Sequence, residues 1–584
     1  MKRLLMLTLG LAMAFLSTSG FASPSEALAR LFADERASFW HDDPLSATSD
    51  GVHDFDDRLP LVTPADQARR LAEDRTFLAR LSAVDRSALT DQEQVSFDLF
   101  AFMVGERVTL ARYREWRLPL NSDSGFHVDV LLMPETARPK TVRDYENYIS
   151  RLKDVPRFFH DNIANMRIGI GDGFTLPSEI LDGVSKVIAG EQYAKPEGSP
   201  FWQPFAAFPA SVPAGERKRL TDAGKRAIAD AVIPAYADFL RFFESEYRPQ
   251  ARKSLGASAL PDGHAYYADL VRYYTSLPDA TPEAIHKLGL SEVERIHAEM
   301  LGVMHETGFK GGFADFLTFL RRDPQSYAKT PDELLKDAAY TAKQIDERLP
   351  RFFGHLPRMT YGVDPVPAAL APNYTSGRYN PGPIGGAGQY WVNTYALNMR
   401  PLYMLTALTL HEAVPGHHLQ ISLAREMTGL PAFRLSFYPN AFGEGWALYS
   451  EKLGIEMGMY HTPYENFGRL AYEMWRACRL VVDTGIHDMG WSRQQAVDFL
   501  SANTSLSAQE IGTEVDRYIA WPGQALAYKI GELKILELRH RAENELGPSF
   551  DLRDFHDAVL ANGGITLPAL EARINAFIAA AKKH

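Results

Sequence analysis

Leu402-Tyr-Met-Leu-Thr-Ala-Leu-Thr-Leu410-His411-Glu412-Ala413-Val414-Pro415-Gly416-His417-His418 is the stretch on which the reading of this chain turns. Its apolar run ends in adjacent histidine and glutamate, too short to span a membrane and suited to a buried helix. Imidazole nitrogens bind a divalent cation such as zinc, and a glutamate directly after the first histidine can act as base toward water, as in the His-Glu-x-x-His helix. Here the fourth residue after His411 is Pro415. The next histidines, six and seven residues on, would lie about 9 and 10.5 Å further along a regular helix, too far to share an ion. Pro415 removes a ladder donor and clashes with the preceding turn, and Gly416 admits backbone angles other residues avoid. The expectation is a helix bulged or broken at Pro415-Gly416, with His411 and His417 as metal ligands, Glu412 as catalytic base and His418 projecting elsewhere. The rival is three histidines that are solvated or cap a helix end.

A two-histidine site needs a carboxylate from a second helix. Gly443-Glu444-Gly-Trp-Ala-Leu-Tyr-Ser-Glu451 reads as a helix start with Glu444, Leu448 and Glu451 on one face. Glu444 is the expected third ligand, because its flanking glycines let backbone approach closely. Glu451, two turns on, is about 10.5 Å away, cannot share the ion and reads as a solvated helix-face glutamate. Further on, Tyr518-Ile-Ala-Trp521-Pro522-Gly523-Gln524-Ala-Leu-Ala-Tyr528-Lys529 gathers aromatics, an amide and a lysine around another Pro-Gly. A tyrosine hydroxyl or a protonated side chain from this stretch could donate to a developing oxyanion; alone, the stretch would read as core. Asp483-Thr-Gly-Ile-His487 sets a carboxylate and an imidazole one helical turn apart, as substrate contacts or as a structural pair. Gly385 to Thr394 reads as a Gly-rich loop and a short edge strand near 389–394 that includes Tyr390 and Asn393.

Elsewhere apolar residues recur at helical spacing, as in Tyr145, Tyr148, Ile149 and Leu152, so the class is mainly α. The N-terminus, Met1-Lys2-Arg3 followed by apolar residues to Leu16 and then Gly20 and Ala22, reads as a signal peptide over 1–22 rather than a permanent anchor. The expected location is therefore periplasmic or secreted. Removing Lys2 and Arg3 takes the formal charge from -11 to -13, which argues against nucleic acid or anionic lipid as a partner. The single cysteine, Cys478, cannot form an intrachain disulfide and reads as a small buried apolar residue. No cysteine near residue 22 supports a lipid anchor.

Taken together, the His411 to His418 block, Glu444 to Glu451, Arg479 to His487, Trp521 to Lys529 and Leu118 to Gly125 resemble the bacterial "domain of unknown function 885" family. That family is in turn similar to the helical zinc peptidases typified by thimet oligopeptidase and angiotensin-converting enzyme. The resemblance implies one large helical metallopeptidase-like domain over 23–584, with an N-terminal lobe to about 365 and a metal-site lobe from about 366 around a deep channel. It implies Zn2+ held by His411, His417 and Glu444, with Glu412 and Tyr528 catalytic and short peptides as substrates. Tyr390, Asn393, His487, Tyr518, Gln524 and Lys529 would then meet the substrate. A zinc hydrolase of another amide or ester, and a peptide-binding protein that keeps the metal without turnover, are the alternatives.

Overall fold

The computed structural model describes residues 23–583 apart from 123, 369–370, 372–373 and 383–385. The expected signal peptide and Gly385 lie outside the described residues. The chain is mainly α, with one small sheet. Helix α1 (Val142–Asp172) shows how local sequence sets an element: Thr141 and Asp144 form a capping box at its start, and Tyr145, Tyr148, Ile149 and Leu152 turn into the core.

Helix α2 (Pro282–Glu306) packs along a later helix, Pro463–His487. Between them in sequence come strands β1 (Tyr361–Pro365), β2 (Gly377–Asn380) and β3 (Gly388–Val392), then helices α3 (Leu405–Glu412), α4 (His417–Glu426) and α5 (Asn440–Leu453). The Pro463–His487 helix, α6, is capped by Thr462 and Glu465 and is buried at every residue from Phe467 onward, so it is a central pillar. Cys478 lies in it, buried as read. Helices α7 (Ala508–Ala520) and α8 (Ala527–Leu546) follow, and α8 packs closely on α5. Each of the two largest apolar clusters draws residues from both sides of position 365. Among the described residues no helix is long and apolar enough to cross a membrane.

The sheet corrects one expectation. Its order is β1-β3-β2, with β1 parallel and β2 antiparallel to β3. The strand read at 389–394 exists, but it ends at Val392 and is the central strand, not an edge. The two outer strands are β1 and β2, both of which precede it in the chain. The strand formers Tyr390 and Val392 signal a strand without saying how many neighbours it has.

Candidate metal centre

Helix α3 is buried along its whole length and ends at Glu412; Leu402–Met404 forms a 3-10 turn ahead of it, so the helix begins at Leu405. The break at Pro415-Gly416 is present. Ala413 leaves helical geometry, the Val414–Pro415 peptide is cis, and α4 restarts at His417. The turn folds back so far that the Gly416 N–H reaches the Leu410 carbonyl at 3.0 Å, and any side chain on Gly416 would collide with the His411 carbonyl. From α5, the Trp446 indole N–H donates to the Pro415 carbonyl at 2.8 Å and clamps the turn.

The fold-back places His411 and His417 side by side, their ring centroids 4.8 Å apart and their planes perpendicular. Glu444 completes the group from the second turn of α5: its Oε2 lies 3.7 Å from His411 Nε2 and 3.4 Å from His417 Nε2. One donor atom from each residue lies within 4.8 Å of the others. Three donors about 2.0 to 2.2 Å from one ion would sit roughly this far apart, so the cluster is sized for a single cation. Gly445 lets α5 reach its neighbour, because a Cβ there would meet the backbone of Gly531 on α8. That contact brings Glu444 and Tyr528 to the same place.

The surroundings orient these donors. His411 Nδ1 is 2.8 Å from Glu451 Oε1, which leaves Nε2 turned toward Glu444. Burial disfavours a charged imidazole, but Glu444, Glu451 and Glu412 outweigh it and push His411 up to about 10. The same pairing holds the Glu444 carboxyl well below the usual carboxylate range despite its burial, through His417 and His411. So much negative charge around His411 calls for a positive one, which a proton or a divalent cation can supply. The Gln420 amide meets His417 Nδ1 at 2.9 Å and also reaches the Gly443 carbonyl. For His417 Nε2 to offer a lone pair, Nδ1 must carry the proton, and the amide would then have to exchange its ends and give up its donation to the Gly443 carbonyl.

Glu412 is buried, and its Oε2 accepts the backbone N–H of Tyr379 on β2 at 2.7 Å. The strand thus fixes the carboxylate that follows the first histidine. His418 projects away, as read: its ring nitrogens meet the Tyr379 hydroxyl at 3.0 Å and the Met359 carbonyl at 3.2 Å, and burial lowers its pKa to about 4. The Tyr528 ring stacks on His411 at 6.4 Å and lies under the Arg479 guanidinium at 4.4 Å. Burial and Glu444 raise the phenol's pKa, yet Arg517 and Arg479 bring it below its ordinary value.

The expected substrate contacts fare differently. Tyr390 is fully buried, with its hydroxyl against Thr409. Asn393 spends its amide on the carbonyls of Ala371, Tyr374 and Thr375. His487 accepts the Ala257 N–H and faces the Tyr518 carbonyl, while the Tyr518 hydroxyl accepts from Trp475 and Arg479. Gln524, 5% exposed, accepts from Arg517. Lys529 is enclosed among Glu473, Glu532 and Glu292. The polar groups of Tyr390, Asn393, His487, Tyr518 and Lys529 are thus engaged by other parts of the protein rather than turned to the metal cluster. Gln524 reaches the site only through Arg517. The reading of Glu451 as solvated is corrected: it is 1% exposed and orients His411. Its signal was available, since it shares a helix face with Glu444. Gln420, one turn after His417, was not singled out, and only its spacing hinted at it.

Residues 44–574 match the family described as "Bacterial protein of unknown function (DUF885)". The chain belongs to that family. Among solved structures, a protein of Colwellia psychrerythraea is similar at 28% identity and a TM-score of 0.89, covering 96% of this chain and all of the other. One from Shewanella oneidensis is similar in fold at 17% identity and a TM-score of 0.71, covering 94% and 99%. Both are described as a "putative lipoprotein", the second also as of unknown function. No curated protein matches the chain.

Proposed function

We propose that this family member is an exported zinc-dependent hydrolase whose substrates are short peptides. The observation that carries the reading is the convergence of His411, His417 and Glu444 beside the adjacent carboxylate Glu412. Two imidazoles and one carboxylate are a donor set of catalytic zinc sites, which keep a further position for water or substrate. Bound there, zinc would supply Lewis acidity, which acidifies water and polarises a carbonyl. Glu412, held by the Tyr379 N–H, takes the proton from the attacking water and passes it to the leaving amine. Tyr528, presented by α8 and flanked by Arg479 and Arg517, hydrogen-bonds the carbonyl oxygen as negative charge grows on it.

Peptides are favoured over small substrates by the cleft beside the centre. A cavity of about 830 Å³ is lined by Gln420, Gly443 and Tyr438. It shares Ser49, Asp50, Ser436 and Phe437 with a second cavity of about 860 Å³. Together they exceed what a small ligand fills. Export, to the periplasm or beyond, is supported by the leader-like N-terminus and by the descriptions of the two similar structures. The test is metal analysis of the purified protein with a digest of a peptide mixture, read as new amino termini. Glu412→Gln should keep one equivalent of zinc and lose hydrolysis; a variant that still releases amino termini at the wild-type rate would refute the assignment.

A further inference from the structure

Tyr438 lies in the short connection between Phe433–Ser436 and α5, and nothing in the motif reading drew attention to it. It is 36% exposed and lines the wall of the cleft next to the centre. Its phenol lies directly on the backbone of Gly443: a methyl group added there would fall inside the hydroxyl oxygen and the ring carbon that bears it. The residue after that glycine is the ligand candidate Glu444. The ionisable groups that the phenol faces are Glu444, Tyr528 and Glu412, and burial of its hydroxyl end among them keeps it neutral. Its backbone carbonyl is used by Asn440, but among the described residues its hydroxyl has no hydrogen-bond partner. A buried or half-buried hydroxyl normally finds one, so a donor facing both a carboxylate cluster and an open cleft is positioned for a ligand.

We propose that Tyr438 is a second catalytic phenol of this centre, donating a hydrogen bond from the cleft side to the substrate oxygen that becomes negatively charged during hydrolysis. It rests on the hydrolase reading above, and it adds a residue that the motifs do not contain. The phenol makes and breaks no covalent bond; it donates while Glu412 handles the proton. Two donors on one oxygen would come from different elements, Tyr528 from α8 and Tyr438 from the connection before α5. Gly443 is then required, since only a residue without a side chain leaves room for the ring over the start of the Glu444 turn.

The test uses the zinc-loaded full chain and two variants, Tyr438→Phe and Gly443→Ala, with four readouts: kcat and KM on a peptide substrate, affinity for a phosphinic dipeptide, zinc content and melting temperature. A phosphinate carries the tetrahedral, charged oxygens that such a donor would meet. Tyr438→Phe should lower kcat and phosphinate affinity by about 10- to 100-fold, the loss expected for one hydrogen bond to a charged group, with KM, zinc content and melting temperature close to wild type. Gly443→Ala, which displaces the ring, should reproduce the loss. Full turnover and full phosphinate affinity in Tyr438→Phe would overturn the assignment, and so would loss of zinc or of thermal stability in that variant, which would make Tyr438 a packing residue. If the wild type binds the phosphinate but cleaves no peptide, the peptidase reading fails while the phosphinate arm still decides on Tyr438. If the zinc-loaded wild type binds no phosphinate, both fall.

Discussion

His411 and His487 are both enclosed, both on helices, and both read in sequence as chemistry-bearing residues near a carboxylate. Their surroundings separate them. Around His411, Glu444, Glu451 and Glu412 raise the imidazole to about 10, and its Nε2 points with His417 Nε2 toward one carboxylate oxygen. Around His487, burial and the nearby Arg252 charge lower the imidazole to about 3, and both ring nitrogens are used by backbone, the Ala257 N–H and the Tyr518 carbonyl. Its sequence partner Asp483 is occupied by the Tyr267 hydroxyl and the Gly523 N–H. One cluster leaves donor atoms converging on a point; the other commits its atoms to Ala257, Tyr518, Tyr267 and Gly523. The residue types are the same, and the difference lies in where the lone pairs go.

The most decisive way to break this contrast is to remove one imidazole at a time. His417→Ala should lose its stoichiometric metal and all hydrolysis, because two donors no longer hold the ion. His418→Ala, one residue away, should keep its metal and lose only stability, about 1 to 3 kcal/mol for the buried partners it leaves unpaired. Metal content of the two purified variants checks this; loss of metal from His418→Ala instead would reassign the second ligand.

Next in size is the contrast between two tyrosines ten residues apart. Tyr528→Phe should lower turnover about 100- to 1000-fold with KM and zinc content nearly unchanged, as expected for a donor that acts on the transition state. Tyr518→Phe removes a hydroxyl that already serves Trp475 and Arg479, and should lower melting temperature rather than turnover. Steady-state kinetics on both variants separates a site residue from a support.

A smaller effect is expected from the residue that orients the first ligand. Glu451→Gln keeps the shape of the contact to His411 Nδ1 and removes its charge, so metal affinity should fall about 10- to 100-fold while the fold persists. Competition with a chelator of known affinity measures it. Unchanged affinity would mean that Glu451 does no more than fill the core.

How much of this was legible in the sequence depends on what each residue does. The His411-Glu412 pair, the forced break at Pro415-Gly416 and the glycines around Glu444 follow from helix geometry and steric volume, and the structure brings these residues together as that reasoning requires. The mainly helical class followed from apolar spacing. The place of β3 in its sheet did not, because strand propensity reports a pleated, half-buried surface and not the number of neighbours. Glu451 misled because charged residues are mostly exposed, and only the folded chain shows it beside His411. Tyr438 carries no motif at all, since its contact with Gly443 comes from a turn.

The smallest effect is a dependence on pH, and it sharpens the contrast from the side of His487. Its folded pKa, about 3, lies below its ordinary value of 6.5. Between those values the unfolded chain binds a proton that the folded chain does not, so folding loses stability as pH falls below 6.5 and keeps it above. At pH 5 the loss from this one group is about 2 kcal/mol, at 1.36 kcal/mol per unit. His487→Gln removes the titration. The variant forfeits hydrogen bonds to Ala257 and Tyr518 at every pH and should be less stable than wild type at pH 7.5, but the gap should close by about 2 kcal/mol on going to pH 5. Denaturation of both proteins at the two pH values, with metal held constant, measures the change in the gap. A gap that stays constant would show that His487 is reached by solvent or protonated in the folded chain, and it would then belong with His411 as a group open to chemistry rather than with the scaffold.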